Sequence, residues 1–210
     1  VIDLEGEFST LREKYDYVLV GKDGDTPADP RSAALLARKL LEHHVSAIID
    51  LYELHHQDRK RFVRLFLESM VNAPKDLWRH CMVVIDEAHI FVPEKGESEA
   101  AEAVIDLATR GRKRGYCAVL ATQRLSKLHK DAAAECNNKL IGRTGLDIDM
   151  KRASEELGFT SREQYLSLRG LESGEFFAFG PAISREVIKT KIGEVATTHP
   201  QLGTRGIKVI

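Results

Sequence analysis

The chain has 210 residues, with 31 Lys+Arg against 32 Asp+Glu and a formal net charge of −1. Its 43% hydrophobic and 30% charged residues are those of one globular domain with a core, which excludes whole-chain disorder, and the charge balance argues against a free-standing basic nucleic-acid-binding module. No apolar run approaches the roughly 18 residues of a membrane span, no signal peptide is visible, and three scattered cysteines (Cys81, Cys117, Cys136) suggest reduced thiols in a cytoplasmic protein.

Residues 1–4 read as a strand end, and the abrupt apolar start makes the chain look like a fragment. Residues 17–20 are a short strand closed by the turn-rich Gly21-Lys22-Asp23-Gly24-Asp25. Residues 30–43 are predicted as a helix with Asp29 as N-cap and Pro30 at its first position. Residues 46–51 are a buried strand. Residues 59–71 repeat Phe62, Val63, Phe66, Leu67 and Met70 at helical spacing until Pro74 stops the pattern.

Residues 81–85 are the strongest strand and run into Asp86-Glu87. Residues 98–114 are a helix ending near Gly115, and 116–121 a strand ending on Thr122-Gln123. Residues 130–137 are helical, 139–143 a strand and 149–157 a helix. Residues 161–168 begin with the capping box of Ser161 and Gln164. Residues 175–179 and 185–191 read as late antiparallel strands. Apolar strands alternating with helices predict an α/β fold: a mostly parallel sheet with helices on both faces. Function in such sheets sits at the strands' carboxyl ends, here Asp3, Asp50, Asp86, Glu87 and Gln123.

Four apolar residues running into two carboxylates, Met82-Val83-Val84-Ile85-Asp86-Glu87, form a Walker B pattern. The Asp can hold the water shell of Mg²⁺, and the Glu can orient or deprotonate a water attacking a γ-phosphate. The same residues also fit a strand ending in an acidic helix cap. Gln123, with Thr122, ends the next strand, where it can reach the γ-phosphate or the lytic water. It also fits a solvated strand end. A Walker A motif, GxxxxGK[ST], is absent. Gly21-Lys22 fails at both ends, with Asp16 in place of the first Gly and Asp23 after the Lys. A P-loop and its helix are therefore expected ahead of Val1, and the chain alone should bind nucleotide poorly.

In order, residues 1–11 (VIDLEGEFSTL), 46–50 (SAIID), 83–93 (VVIDEAHIFVP) and 110–123 (RGRKRGYCAVLATQ) resemble the HerA branch of the HerA–FtsK ATPases, over roughly residues 1–190. These are hexameric, ring-shaped DNA translocases. The resemblance implies a RecA-like ATPase core over residues 1–194 lacking its first βα unit, then a tail, 195–210, that either latches onto a neighbour, as the family likeness favours, or is disordered. It makes ATP and Mg²⁺ the cofactors, Asp86 the Mg²⁺ residue, Glu87 the catalytic carboxylate and Gln123 the sensor. It also places Asp3, Glu5 and Glu7 on the strand after the P-loop helix, near the nucleotide. A cation from the neighbouring subunit should complete each site: Lys139 aligns best, with Arg143, Arg110, Arg112 and Arg114 competing, although the last three equally fit a solvated helix end. Double-stranded DNA would thread the ring pore. Arg59, Lys60, Arg61 and Arg64 could meet its phosphates or form an exposed helix face.

The expected function is thus the motor subunit of a homo-hexameric, ATP-hydrolysing DNA translocase. Two alternatives stand beside it. One is a non-hydrolysing ring scaffold for a nuclease or other effector. The other is a fragment of a superfamily 2 helicase, since Asp86-Glu87-Ala88-His89 spells a DEAH box.

Overall fold

The computed structural model of the protein describes residues 1–198. Five short strands form a parallel sheet: β1 (Ile2–Asp3), β2 (Tyr17–Val20), β3 (Ser46–Asp50), β4 (Cys81–Ile85) and β5 (Tyr116–Leu120), in the order β2-β3-β1-β4-β5. Parallel neighbours need crossovers, and α1 (Ala33–His43), α2 (His56–Val71) and α3 (Ala101–Arg110) supply them from β2 to β3, β3 to β4 and β4 to β5. The helical spacing of α2 buries Phe62, Val63, Phe66, Leu67 and Met70 in one core with Ile2, Val20, Ile49, Val83 and Ile85 of the sheet. Phe62, fully buried, stabilises the fold by about 3 kcal/mol relative to exposure.

Two helix starts differ from expectation. Asp29 does not cap α1. Its carboxylate accepts the Arg31 backbone N–H at 2.8 Å and the guanidinium at 2.6 Å, closing a turn, and the helix starts at Ala33. α3 starts at Ala101, and residues Gly111–Arg114 tighten into a 3-10 turn. That turn ends on Gly115 at φ +86°, where a Cβ would stand 2.7 Å from the Arg79 carbonyl oxygen.

The core lies on one face of the sheet. On the other, Met82 is 64% and Val119 36% exposed, Cys117 is exposed and Val84 half-buried. The register sets Met82 beside Cys117 and Val84 beside Val119, so these four form one open apolar patch.

Beyond β5 the chain builds a second unit. After α4 (Lys130–Glu135), β6 (Lys139–Gly142) pairs antiparallel with β7 (Glu175–Gly180), and β7 with β8 (Ser184–Lys191). The strand after Gln123 therefore joins a separate three-stranded sheet. α5 (Asp147–Leu157) and α6 (Arg162–Ser167) lie between β6 and β7, and Met150, Ala153, Leu157 and Leu168 make its small core. The Ser161–Gln164 capping box forms as the sequence predicts. Of the expected tail, residues 199–210 lie outside the described residues; Thr198 donates its backbone N–H to Glu13 at 2.8 Å. Among the described residues no helix is long and apolar enough to cross a membrane.

Candidate nucleotide site

Because the sheet is parallel, the carboxyl ends of β1, β3, β4 and β5 meet at one edge. Asp3 pairs in register with Asp50, Ile2 with Ile85, and Ile85 with Leu120. Asp3, Asp50, Asp86, Glu87, Thr122 and Gln123 are thereby brought together, as the strand-end reasoning predicts.

They are not equivalent. Asp3 is fully buried, and its carboxylate accepts the backbone N–H groups of Glu5 (3.2 Å), Gly6 (2.8 Å), Glu7 (3.2 Å) and Phe8 (2.9 Å). It holds the loop that carries Glu7, with three amides on Oδ1 and one on Oδ2. Glu5 and Glu7 lie on this loop, not on the strand: β1 ends at Asp3 because the side chain captures the next four amides. Gly6 is required there. At φ +74° it passes so close to Asp50 that a Cβ would lie 3.3 Å from Oδ2.

Asp50 is half-buried, and burial pushes its carboxyl pKa up, with the charges of Asp3 and Glu53 adding to the effect. Asp86 is pushed further, to about 6; burial is the main cause, and the negative charges of Glu87, Asp3 and Glu7 add to it. A carboxylate crowded by like charge is a hard-oxygen site that a divalent cation would relieve. Among the described residues no three His, Cys, Asp or Glu side chains converge to hold a metal directly. A divalent cation would therefore be held here by Asp86 through water rather than by a cage of side chains.

Glu87 sits at φ 45°, ψ 43°, a left-handed conformation that costs a non-glycine residue about 1–2 kcal/mol. The turn swings its side chain toward β5. Oε2 lies 3.2 Å from His89 Nδ1 and accepts the Gln123 backbone N–H at 3.4 Å. His89 Nδ1 is in turn 2.8 Å from Thr122 Oγ1, which accepts the Arg124 N–H at 3.0 Å. Burial lowers the His89 pKa, while the Glu87 carboxylate beside it works in the opposite direction. Arg124 then reaches into the second unit, with Nε 3.1 Å from Asp149 Oδ2; the other Asp149 oxygen accepts the Ser126 N–H at 2.8 Å. Burial opposes ionisation of Asp149, but these bonds hold its carboxyl below the usual range. Sequence reasoning missed this chain. His89 was visible only as the last letter of DEAH, and Asp149 only as a residue at a helix start.

The Zonular occludens toxin (Zot) family matches residues 36–157, more than half of the chain. The chain is a Zot-family member. It belongs with the HerA–FtsK superfamily of ATPases. It is 31% identical over 186 residues to the DNA double-strand break repair helicase HerA of Pyrococcus furiosus, covering 87% of this chain and 31% of that protein. It is also 31% identical over 144 residues to a probable HerA of Methanocaldococcus jannaschii, covering 67% of this chain and 28% of that one. The chain therefore spans under a third of these curated relatives. Its fold is that of the genome packaging NTPase B204 of Sulfolobus turreted icosahedral virus 2 in complex with ATP-gammaS (TM-score 0.58, 14% identity, 90% of this chain and 79% of that one). The plasmid coupling protein TrwB is equally similar (TM-score 0.58, 16% identity, 78% and 44%). The fold is a RecA-like α/β core of P-loop NTPase type. Membership of the Zot family sets aside the superfamily 2 helicase alternative.

In this Zot-family chain the candidate cations separate clearly. Lys139 is engaged internally: Nζ is 2.8 Å from Glu156 Oε2 and 2.6 Å from the Ala133 carbonyl oxygen, at 16% side-chain exposure. To act on a neighbouring subunit, Lys139 would first have to break this enclosed pair. Arg143 is exposed and lines a cleft of about 640 Å³ between β5 and β6 that it shares with Gln123. Arg110 is paired with Asp106 at 2.6 Å, Arg114 lies 5.3 Å over the Trp78 ring, and Arg112 is exposed. All three precede β5 and so sit at the sheet's amino edge, opposite Asp86. Of the α2 cluster, Arg59 donates to the Leu54 and Tyr52 carbonyl oxygens, and Arg64 is paired with Glu99 and Glu68. Among the described residues this leaves Lys60 and Arg61 without an ion-pair partner.

Proposed function

We propose that this chain is the catalytic part of an ATP-driven DNA translocase subunit. The observation that carries the reading is the pair Asp86 and Glu87 at the end of β4, with Glu87 bonded to Gln123 at the end of β5. In this reading Asp86 holds the water shell of Mg²⁺, and Glu87 takes a proton from the attacking water. Thr122 and Gln123 contact the γ-phosphate end of the nucleotide. Mg²⁺ supplies charge neutralisation on the phosphate oxygens. Asp3 and Glu7 support the site indirectly, the first by shaping the loop that carries the second.

The phosphate cradle is absent from these 210 residues and, in this reading, comes from one further β–α unit. Two features favour a place for it. β5 is the last strand of its sheet, so its outer backbone edge is unpaired there, and the cleft between β5 and β6 lies beside that edge. The open patch of Met82, Val84, Cys117 and Val119 also lacks the cover a parallel sheet requires. A parallel strand added at β5, followed by a helix crossing that patch to β1, would run opposite to the α1, α2 and α3 connections. A right-handed crossover in that direction places its helix on the open face.

A homo-hexameric ring around double-stranded DNA, with Arg143 reaching the neighbour's nucleotide, completes the proposal. Any nuclease partner would dock on this ring. The test is ATP hydrolysis by a protein carrying both the cradle and this chain. Glu87→Gln should reduce turnover by at least about 10²-fold while nucleotide still binds. Unchanged turnover would sink the motor reading and leave the scaffold alternative.

A further inference from the structure

The near-zero net charge hides a polarised molecule. Asp3, Glu7, Asp50, Asp86 and Glu87 lie at the carboxyl edge, whereas the amino ends of β4 and β5 gather cations. Lys75, Arg79 and His80 precede β4, and Arg112, Lys113 and Arg114 precede β5. The two segments are locked side by side: the Cys81 N–H donates to the Gly115 carbonyl oxygen at 3.1 Å, and Gly115 abuts Arg79.

Among the described residues none of these Lys and Arg side chains is ion-paired, although Arg110 next to them is held by Asp106. Lys75, Arg112 and Lys113 are exposed. Trp78 stands among them, the single tryptophan of the chain. Its indole N–H donates to the Ala73 carbonyl oxygen at 2.8 Å, while the Arg114 guanidinium lies 5.3 Å and Lys75 Nζ 6.0 Å from the ring centroid. Arg79 Nη1 and Arg114 Nε are enclosed without an acceptor. Unpartnered buried donors are uncommon and call for an explanation. Each guanidinium group is held in place by the chain, Arg79 Nε donating to the Leu77 carbonyl oxygen at 3.1 Å and Arg114 Nη1 to the Arg110 carbonyl oxygen at 2.8 Å, with no carboxylate paired to it among the described residues.

We propose that this amino-edge patch binds the phosphodiester backbone of nucleic acid. The proposal rests on the reading that the motor's partner is DNA. It puts a contact about 17 Å along β4 from Asp86, at roughly 3.3 Å per strand residue. Exposed lysines that form no ion pair among the described residues, with one fixed aromatic ring, suit a phosphate-tracking surface, although Asp76 beside Lys75 offsets part of the charge. Protein–protein interface cores are, by contrast, depleted of lysine.

The test is titration of the chain with a short labelled DNA duplex over a range of KCl concentrations, following anisotropy and Trp78 emission. Arg112→Glu/Lys113→Glu should weaken binding about tenfold or more and reduce the slope of log affinity against log salt by about 2. The same charge change elsewhere on the surface, Arg162→Glu/Arg185→Glu, should leave the slope within about half a unit of wild type. Trp78 emission should change on binding to the wild-type chain. Equal weakening by both double variants, or none by the first, overturns the patch and leaves the DNA reading standing. No binding by the wild-type chain at low salt overturns both. Competition at matched charge by tripolyphosphate would reassign the patch to small polyphosphates, and competition by polyglutamate to an acidic protein. Either result overturns the nucleic-acid assignment.

Discussion

Glu87 faces His89 across a single 3-10 turn, with Oε2 3.2 Å from Nδ1, and the same nitrogen lies 2.8 Å from Thr122 on the neighbouring strand. A single proton on Nδ1 would be shared between the Glu87 carboxylate and the Thr122 hydroxyl. His89 then fixes the direction of the proposed catalytic carboxylate and ties it to the end of β5. The link exists because Glu87 adopts a left-handed conformation that turns the chain back over the sheet.

A substitution that breaks this link should lower turnover without releasing the nucleotide. In a protein carrying the phosphate cradle, His89→Ala is expected to reduce kcat about tenfold with KM within about twofold, against a far larger loss for Glu87→Gln. Steady-state ATPase kinetics check it. Equal losses for the two variants would mean that His89 does more than position Glu87.

The raised pKa of Asp86 has a consequence for stability. Its folded value, about 6, lies above its ordinary 3.8, so the folded state binds more protons between those limits. Its contribution to stability therefore falls as pH rises from about 4 to about 6. The Asp50 carboxyl is shifted in the same direction. Asp86→Asn should melt at a higher temperature than wild type at pH 7.5, with the difference shrinking toward pH 4. Thermal melts at the two pH values decide it.

The Arg124–Asp149 pair joins the sensor loop to the second unit. Asp149 is 2% exposed and holds both the Arg124 guanidinium and the Ser126 N–H. Because Arg124 is partly exposed, Asp149→Asn is expected to cost about 1–3 kcal/mol in urea unfolding, less than for a fully enclosed pair. Its carboxyl is held low, so this stabilisation is present above the ordinary carboxylate pKa and is lost as pH falls through the folded value. Urea midpoints of the variant and wild type should differ at pH 7 and draw together as the pH is lowered toward 3.

Met82 reports on the open face. At 64% exposure, Met82→Asp should change the stability of the 210-residue chain by no more than about 0.5 kcal/mol. In a protein that also carries the proposed β–α unit, the same change would bury a charge under the added helix. It should then lower Tm and abolish nucleotide binding. Equal tolerance in both would place that helix elsewhere.

Much of the fold was legible because local chemistry decides it. The apolar run of residues 81–85, the 3.6-residue spacing of α2 and the Ser161–Gln164 box each act within a few residues of chain, and each formed where expected. The start of α1 was misread because Asp29 had two local choices, a helix cap or a turn with Arg31, and the turn prevailed. The candidate site was legible as residues but not as roles. That Asp86 and Glu87 end a strand follows from sequence; that Asp3 is consumed by four backbone amides, or Lys139 by Glu156, does not.

The sequence by itself determined the strands, the acidic residues at their ends, the lack of a GxxxxGK[ST] motif and a net charge near zero. Only the tertiary structure decided which carboxylates are crowded, which cations are already paired and where unpaired charge collects. Those outcomes depend on contacts between residues far apart in the chain, such as Arg124 with Asp149 and Gly115 with Arg79. Burial, which shifts the Asp86 pKa and quiets Lys139, arises only when the sheet and both units have come together.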